Sequence, residues 1–168
     1  VEDFLVVLGN WGTPDGDCTG DGLTDVNDML AVLGEWGLCA DALTNDEREN
    51  AIYVFEGDYE FSTVGATLDE NQPAWSCGSN VGADVWFCFQ CERDGPVPLF
   101  VCDDVDFDTV LTVYSTTGDG CDGDLIEIVC NDDGFNCVSG GSVLEFVGIN
   151  GEHYLIRLGG VDGAQGSG

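Results

Sequence analysis

Asp-Thr-Val-Leu-Thr-Val-Tyr, residues 108–114, is the stretch that decides the fold of this chain. Its β-branched and aromatic residues favour an extended backbone, and clusters of Gly, Asp and Asn separate it from similar runs before and after it. We predict strands at residues 51–55, 59–64, 84–91, 97–102, 109–114, 125–130, 142–147 and 153–158. Because no helical pattern lies between them, roughly eight short strands predict a mainly β fold, an antiparallel β-sandwich or jelly roll.

The charge of the chain limits its partners. Its 168 residues include 33 acidic residues, three arginines and no lysine, which gives a formal net charge of −30. Such a chain repels phosphate, so we expect no nucleic-acid partner and no anionic membrane surface. The hydrophobic content of 43% is too high for a disordered acidic tail. No apolar run approaches the ~20 residues of a spanning helix, so membrane insertion is not expected. We therefore expect a folded protein whose carboxylates are partly neutralised by divalent cations.

Nine cysteines indicate an oxidising, extracellular compartment, with the chain secreted or held at a cell surface. Plausible bridges join Cys91 with Cys102 across a hairpin and Cys130 with Cys137 around an acidic turn, although the spacing leaves the connectivity open. Cys88 and Cys91 have zinc-like spacing, but no second pair follows, so disulfide use is favoured. Because nine is odd, one cysteine is left free or pairs with a segment outside this chain.

A calcium loop is predicted at residues 15–28, Asp-Gly-Asp-Cys-Thr-Gly-Asp-Gly-Leu-Thr-Asp-Val-Asn-Asp. An EF-hand register that begins at Asp17 places Gly22 at the sharp turn, whereas one that begins at Asp15 puts Val26 in the last ligand position and fails. The predicted Ca²⁺ ligands are Asp17, Thr19, Asp21, the Leu23 carbonyl, Asp25 and Asp28. The alternative interpretation is a solvated acidic turn.

The segment after this loop is a repeat. Residues 26–37 match residues 1–12, and in both copies the apolar residues have helical spacing and stop at a Gly-x-Trp-Gly turn. Two such short helices are too small for a large core, so metal binding must contribute folding free energy.

Together, the loop and the repeat resemble a type I dockerin over residues 1–37. The resemblance implies a small helical, EF-hand-like module that docks onto a cohesin-like protein partner in a calcium-dependent way. Asp3 would be the last ligand of a first loop whose earlier positions are absent. We therefore expect the chain to be a piece of a longer protein or one unit of a repeating polymer.

Residues 39–50 break both periodicities and are the predicted linker between a helical module, residues 1–38, and the β-sandwich, residues 51–168. Blocks such as Asp-Val-Trp-Phe from residue 84 and Tyr-Leu-Ile-Arg-Leu-Gly-Gly from residue 154 resemble the bacterial pre-peptidase C-terminal domain. That family is a generally non-catalytic β-sandwich appended to secreted hydrolases and surface proteins. It normally adds a strand after the glycine-rich stretch 159–168, so the resemblance implies an open sheet edge that another chain can pair with.

Acidic turns of the sandwich predict a second calcium site, because carboxylates gathered without lysines repel one another unless a cation lies among them. The candidate ligands are Asp103, Asp104, Asp106, Asp108, Asn131, Asp132 and Asp133. Solvated turn residues are the competing interpretation, since Asp and Asn favour turns.

Signs of catalysis are few. His153 is the only histidine, and no nucleophile-elbow or metalloprotease motif is present. Trp75 and Trp86, with Trp11 and Trp36, could form a sugar-stacking platform, although Trp86 lies within a strand and is assigned to the core.

The sequence therefore predicts a non-catalytic, extracellular, calcium-dependent attachment or assembly protein. It would dock to a protein partner or to copies of itself, as in a repeating unit of an extracellular fibre. The alternative is a carbohydrate-targeting appendage of a secreted hydrolase, with a polysaccharide as partner.

Overall fold

Two β-sheets make up the described part of the molecule. The computed structural model describes residues 44–69, 71–102, 105–135, 137 and 139–168, together with Thr24. The chain divides into two units, Val1–Leu43 and Thr44–Gly168, and the described residues other than Thr24 belong to the second. The predicted helical module therefore lies outside the described residues, apart from Thr24, which is buried.

Seven strands are present among the described residues. They are β1 (Ile52–Val54), β2 (Asp84–Gln90), β3 (Gly95–Val101), β4 (Thr109–Thr116), β5 (Leu125–Asn131), β6 (Ser142–Gly148) and β7 (His153–Gly160). Two short 3-10 helices, Arg48–Asn50 and Val161–Gly163, flank this series. The prediction of a mainly β fold is confirmed, and the strands match seven of the predicted runs to within two residues at each end.

One sheet has five strands in the order β1-β2-β7-β4-β5, and the other contains β3 and β6. All pairs are antiparallel except β1 with β2, where Ile52 lies beside Phe87 in a parallel register. The prediction of a purely antiparallel fold is thus wrong at this edge. The long connection between β1 and β2 provides the crossover that a parallel pair requires. With five strands against two, the architecture is a sandwich rather than an eight-stranded jelly roll.

Residues 59–64, which the sequence predicts as a strand, are not one of the seven strands of the structure. Only Ser62 forms an isolated antiparallel bridge, with Ser167. The Phe61 N–H donates to the Gly168 carbonyl at 2.9 Å, and the Phe55 N–H donates to the Tyr59 hydroxyl at 3.0 Å. The tyrosine closes a turn over residues 55–59, and the Thr63 N–H donates to the Gly166 carbonyl at 2.8 Å, so the segment pairs with residues 166–168 only over residues 61–63.

The predicted linker contributes to the sandwich at its described end. Asn45 is buried, its side-chain amide donates to the Trp86 carbonyl at 3.0 Å, and the Trp86 N–H donates to the Asn45 carbonyl at 2.9 Å. Asn45 therefore lies at the edge of the five-stranded sheet beside Trp86 of β2.

The core lies on both faces of the central strands, because nearly every residue of β4 and β7 is buried. Between the sheets, the Phe146 ring of β6 packs edge-on to Phe89 at 6.3 Å and against Tyr154 at 4.8 Å between centroids. On the opposite face, the segment 71–83 crosses the five-stranded sheet. A Cβ at Gly159 would lie 2.7 Å from Val81 Cγ1, so glycine lets this segment approach closely.

An arginine is buried beneath the crossing segment. Arg157 is paired with Asp84, which is also fully buried, and it donates to the Pro73 carbonyl at 2.8 Å. Its guanidinium carbon lies 4.4 Å from the Trp75 ring centroid and 4.8 Å from that of Trp86. Trp86 is in the core, as predicted. Because Trp75 packs on Arg157, these two tryptophans do not form an open sugar-stacking platform, while Trp11 and Trp36 lie outside the described residues.

The disulfides differ from the predicted pairs. The structure joins Cys77 with Cys130, Cys88 with Cys121 and Cys102 with Cys137, and it leaves Cys91 free and buried. Cys91 with Cys102 and Cys130 with Cys137 are therefore wrong as pairs. Cys130 faces the segment that crosses the sheet, and Cys77 on that segment lies 5.9 Å away between Cα atoms. Long-range packing, rather than proximity along a hairpin, decides the pairing.

Candidate functional site

The predicted calcium loop, residues 15–28, lies outside the described residues except for Thr24. All six predicted ligands, Asp17, Thr19, Asp21, Leu23, Asp25 and Asp28, lie outside the described residues. Thr24, between two of them, is buried. The assignment of this loop to calcium stays a prediction based on spacing.

The second predicted site falls on one end of the sandwich, where four carboxylates influence one another. Burial raises the pKa of Asp108, and the charges of Asp133 and Asp162 raise it further. Burial likewise raises the pKa of Asp132, followed by repulsion from Asp133, Asp108 and Asp162. Asp108 and Asp132 are therefore harder to ionise than a free aspartate.

Other predicted members of this site have structural partners. Asp106 accepts the Ser167 N–H at 2.8 Å through its side chain. The Asn131 side chain accepts the Val143 N–H at 2.9 Å and donates to the Asp133 carbonyl at 3.2 Å. Asp103 and Asp104 lie outside the described residues. The structure thus brings three of the seven candidates, Asp108, Asp132 and Asp133, into one electrostatic group, and the calcium assignment stays a prediction.

Asp162 is the member that sequence reasoning missed. It follows β7, and the Val161 N–H donates to the Asp108 carbonyl at 3.0 Å, which brings Asp162 beside the start of β4. Asp108 and Asp162 are brought to the same end of the sandwich by the pairing of β4 with β7, in which Thr109 lies opposite Gly160. A prediction of that pairing would have placed both acidic turns at the same end of the sandwich.

A different acidic group has the tighter geometry. One carboxylate oxygen from each of Glu47, Glu49 and Asp69 lies within 4.8 Å of the others. Among the described residues, these three form the group of possible metal ligands whose ligand atoms lie this close together. Asp69 is only 3% exposed, and it accepts the Asn71 N–H at 3.3 Å and the Arg48 N–H at 3.4 Å. Partial burial raises the pKa of Glu47, and the charge of Asp69 adds to the shift. These three side chains have the hard oxygen atoms that Ca²⁺ or Mg²⁺ prefers.

An apolar groove of about 750 Å³ opens between the two sheets. Its floor comes from β2, β4 and β7, one wall is β3, and the opposite wall is the turn at residues 55–61. The aromatic rings of Phe55, Tyr59 and Phe100 are exposed at its mouth. Arg93 and Glu56 also line the mouth and form an ion pair, with Nε to Oε1 at 2.7 Å. This groove has the size of an ordinary ligand or peptide site.

The lone histidine, His153, packs against an aromatic side chain. Its ring lies edge-on to Tyr53, with 6.3 Å between centroids.

Among the described residues, no helix combines the length and the apolar character that crossing a membrane requires.

Comparison of the chain with protein-family models, with curated proteins and with solved structures gave no match. The resemblances to dockerins and to the pre-peptidase C-terminal domain therefore stay predictions from the sequence blocks that carry them.

Proposed function

We propose that this chain is a non-catalytic, extracellular attachment or assembly protein whose docking depends on calcium. It docks to a protein partner or to copies of itself, as a repeating unit of an extracellular fibre does. The observation that carries the proposal is the loop at residues 15–28, in which six ligand positions and a turn glycine fit one EF-hand register.

Two features of the sandwich support this proposal. Three disulfides among the described residues suit an oxidising, extracellular compartment. Burial raises the pKa of Asp108 and of Asp132, and repulsion from neighbouring carboxylates raises each pKa further; a divalent cation would relieve that repulsion. Calcium would thus act twice, by folding the N-terminal module and by reducing repulsion between acidic chains.

Sedimentation velocity and negative-stain electron microscopy test the proposal on the full chain. We expect larger species or filaments in millimolar calcium, their dissociation in EDTA, and little effect of equimolar magnesium. Magnesium controls for simple charge screening, because it dehydrates reluctantly and suits flexible oxygen loops poorly. A chain that binds no calcium and sediments identically in all three buffers would reject the proposal.

The alternative, a carbohydrate-targeting appendage, is favoured by one observation. Phe55, Tyr59 and Phe100 expose their rings around a groove whose rim also carries carboxylates. Aromatic faces and acidic hydrogen-bond acceptors are the chemistry that sugars use for binding. Affinity electrophoresis in polysaccharide gels measures this directly, since retardation that Tyr59→Ala abolishes would assign the groove to a glycan.

A further inference from the structure

The turn between β6 and β7 contains the single Asn-Gly pair of the sequence, Asn150–Gly151. In such a pair the amide nitrogen that follows the asparagine can attack the asparagine side-chain carbonyl carbon, and glycine has no side chain to hinder that attack. Both residues are exposed, and a Cβ at Gly151 would have nothing within 4 Å of it. The turn therefore carries both reactants of a deamidation in open space.

Hydrogen bonds hold this turn closed. The Glu152 N–H donates to the Ile149 carbonyl at 3.0 Å, and Gly151 has a φ of +86°, as the third residue of a type II turn requires. The Gly151 N–H donates to the Cys91 carbonyl at 2.8 Å. Because this bond retains the proton that the attacking nitrogen must lose, the closed turn resists the reaction and an opened turn permits it.

A further hydrogen bond reaches the turn from outside it. The carboxylate of Asp94 accepts the Asn150 N–H at 2.8 Å, and both residues are exposed, as are Ile149 and Glu152. Exposed turns open locally at a free-energy cost below that of global unfolding. The native protein therefore opens this turn from time to time while the sandwich stays folded.

We infer that Asn150 is a modification site, at which the native protein deamidates when the turn opens. The Gly151 nitrogen loses its proton to water and bonds to Asn150 Cγ, the Cγ–Nδ2 bond breaks, and the leaving nitrogen takes up a proton and departs as ammonia. One water molecule then opens the cyclic imide at either carbonyl, which leaves an aspartate or an isoaspartate. No atom is oxidised or reduced, so water is the co-reactant.

The products weaken the turn that contains them. Each product carries a new carboxylate beside those of Asp94 and Glu152, and like charges repel. An isoaspartate also adds a methylene group to the main chain, so the bonds from Glu152 to Ile149 and from Gly151 to Cys91 lose their register. The modified turn is therefore open more often than the original one.

The same turn covers a buried thiol. Cys91 is 1% exposed and is the free cysteine among the described residues. Its N–H donates to the Glu152 carbonyl at 2.9 Å, and a Cβ at Gly148, the last residue of β6, would lie 2.5 Å from its Sγ. A thiol reacts as an accessible thiolate. Modification of Asn150 should therefore make Cys91 reactive, and alkylation of Cys91 reports on the opening of the turn.

The test follows the full chain during incubation at neutral pH, by peptide mapping with mass spectrometry. Deamidation replaces an amide by a carboxyl group and adds about one dalton. We expect the gain at Asn150 rather than at Asn50, Asn71 or Asn80, which are also exposed but precede larger residues. The gain at Asn150 should be about tenfold or more faster in urea, because the unfolded chain lacks the hydrogen bonds of the turn.

Two variants and a matched control connect the reaction to the turn. Asp94→Ala removes the acceptor of the Asn150 N–H and should speed the reaction of the folded protein several-fold, whereas Asp119→Ala, at another exposed turn, should leave the rate unchanged. Asn150→Gln closes the corresponding ring much more slowly. It should keep Cys91 resistant to iodoacetamide, while Cys91 of the aged wild type becomes reactive.

Three outcomes would overturn the inference. No mass gain at Asn150 in the folded wild type and in Asp94→Ala, together with a gain in urea, means that the native turn does not open. Equal rates in the folded and the urea-unfolded wild type mean that the hydrogen bonds do not control the reaction. Deamidation that leaves Cys91 as resistant to alkylation as it is in Asn150→Gln rejects the link to the thiol.

Discussion

At the residue scale, Arg157 shows how much a single side chain can organise. The sequence marks it as an arginine within an apolar run, and it assigns Trp86 to the core correctly. It does not show that Asp84 and Trp75 surround the guanidinium, because Asp84 lies 73 residues before Arg157 and Trp75 is on the still more distant crossing segment. A buried charge persists only when it is paired and hydrogen-bonded. The arginine thus ties β2, β7 and the crossing segment to one another.

Removing one partner of this pair should be strongly destabilising. We expect Asp84→Ala to reduce the free energy of unfolding by about 3–5 kcal/mol, because it leaves Arg157 buried without its carboxylate. Urea unfolding with the disulfides intact measures the loss. Asp119→Ala, at an exposed turn, is the matched control and should change stability by less than about 0.5 kcal/mol. Equal effects of the two substitutions would contradict this role for Arg157.

Stability should also depend on pH through Asp108 and Asp132. Their pKa values are raised in the folded state by burial and by neighbouring carboxylates. The native state therefore holds these protons more tightly than the unfolded chain, so the added stability is present below the unfolded pKa and is lost as pH rises through the folded pKa.

In EDTA, we expect the melting temperature to fall as pH is raised from about 4, the ordinary pKa of an aspartate, towards neutrality. Asp108→Asn with Asp132→Asn should reduce that fall, because the amides cannot ionise. Differential scanning calorimetry of both proteins across this range provides the comparison. A double variant with the same pH dependence as the wild type would show that these two groups do not contribute.

At the element scale, the strands themselves follow from local sequence. Alternation and β-branched residues located seven of them, because side-chain burial on a pleated strand imposes that pattern. Pairing does not follow in the same way. The parallel partner of β2, the bridge from Cys77 to Cys130 and the proximity of Asp162 to Asp108 all depend on contacts between distant segments. Residues 59–64 have a strand-like composition but pair with residues 166–168 only over residues 61–63.

The Cys77–Cys130 disulfide should hold the crossing segment on the sheet. Replacing both cysteines by alanine is expected to reduce the free energy of unfolding by about 2–4 kcal/mol, since the bridge closes a long loop. Trp75 lies two residues from Cys77, so its emission should shift to longer wavelength in the native state as it becomes exposed. The same replacement of Cys102 and Cys137 is the control, because Cys77 and Cys130 pack in the same hydrophobic cluster as Trp75, whereas Cys102 and Cys137 are not among its members. A red shift in both variants, or in neither, would contradict the assignment.

At the scale of the whole molecule, acidity and folding are linked. A net charge of −30 on 168 residues opposes compactness and association unless cations bind. Ligand spacing within one loop is local information, so the sequence alone is enough to predict a calcium site at residues 15–28. It did not reveal the groove beside β3, because a groove is defined by which strands are adjacent and by where a layer ends.

Calcium removal should separate the stabilities of the two modules. We expect the predicted helical module to melt in EDTA while the disulfide-linked sandwich survives, because four loop carboxylates repel one another without the ion. Circular dichroism at 222 nm should lose its helical signal, while thermal unfolding of the β-sheet signal persists at high temperature. A helical signal that is unchanged in excess chelator would count against calcium-dependent folding.

Calcium titration by isothermal calorimetry tests the central claim most directly. The wild type should bind calcium, and Asp15→Asn should bind it equally well, because Asp15 lies outside the register that begins at Asp17. Asp28→Asn removes the charge of the last ligand and should weaken binding at this site by at least about tenfold. The account predicts that only Asp28→Asn departs from the wild type, and equal binding by all three proteins, or no binding by any, would contradict it.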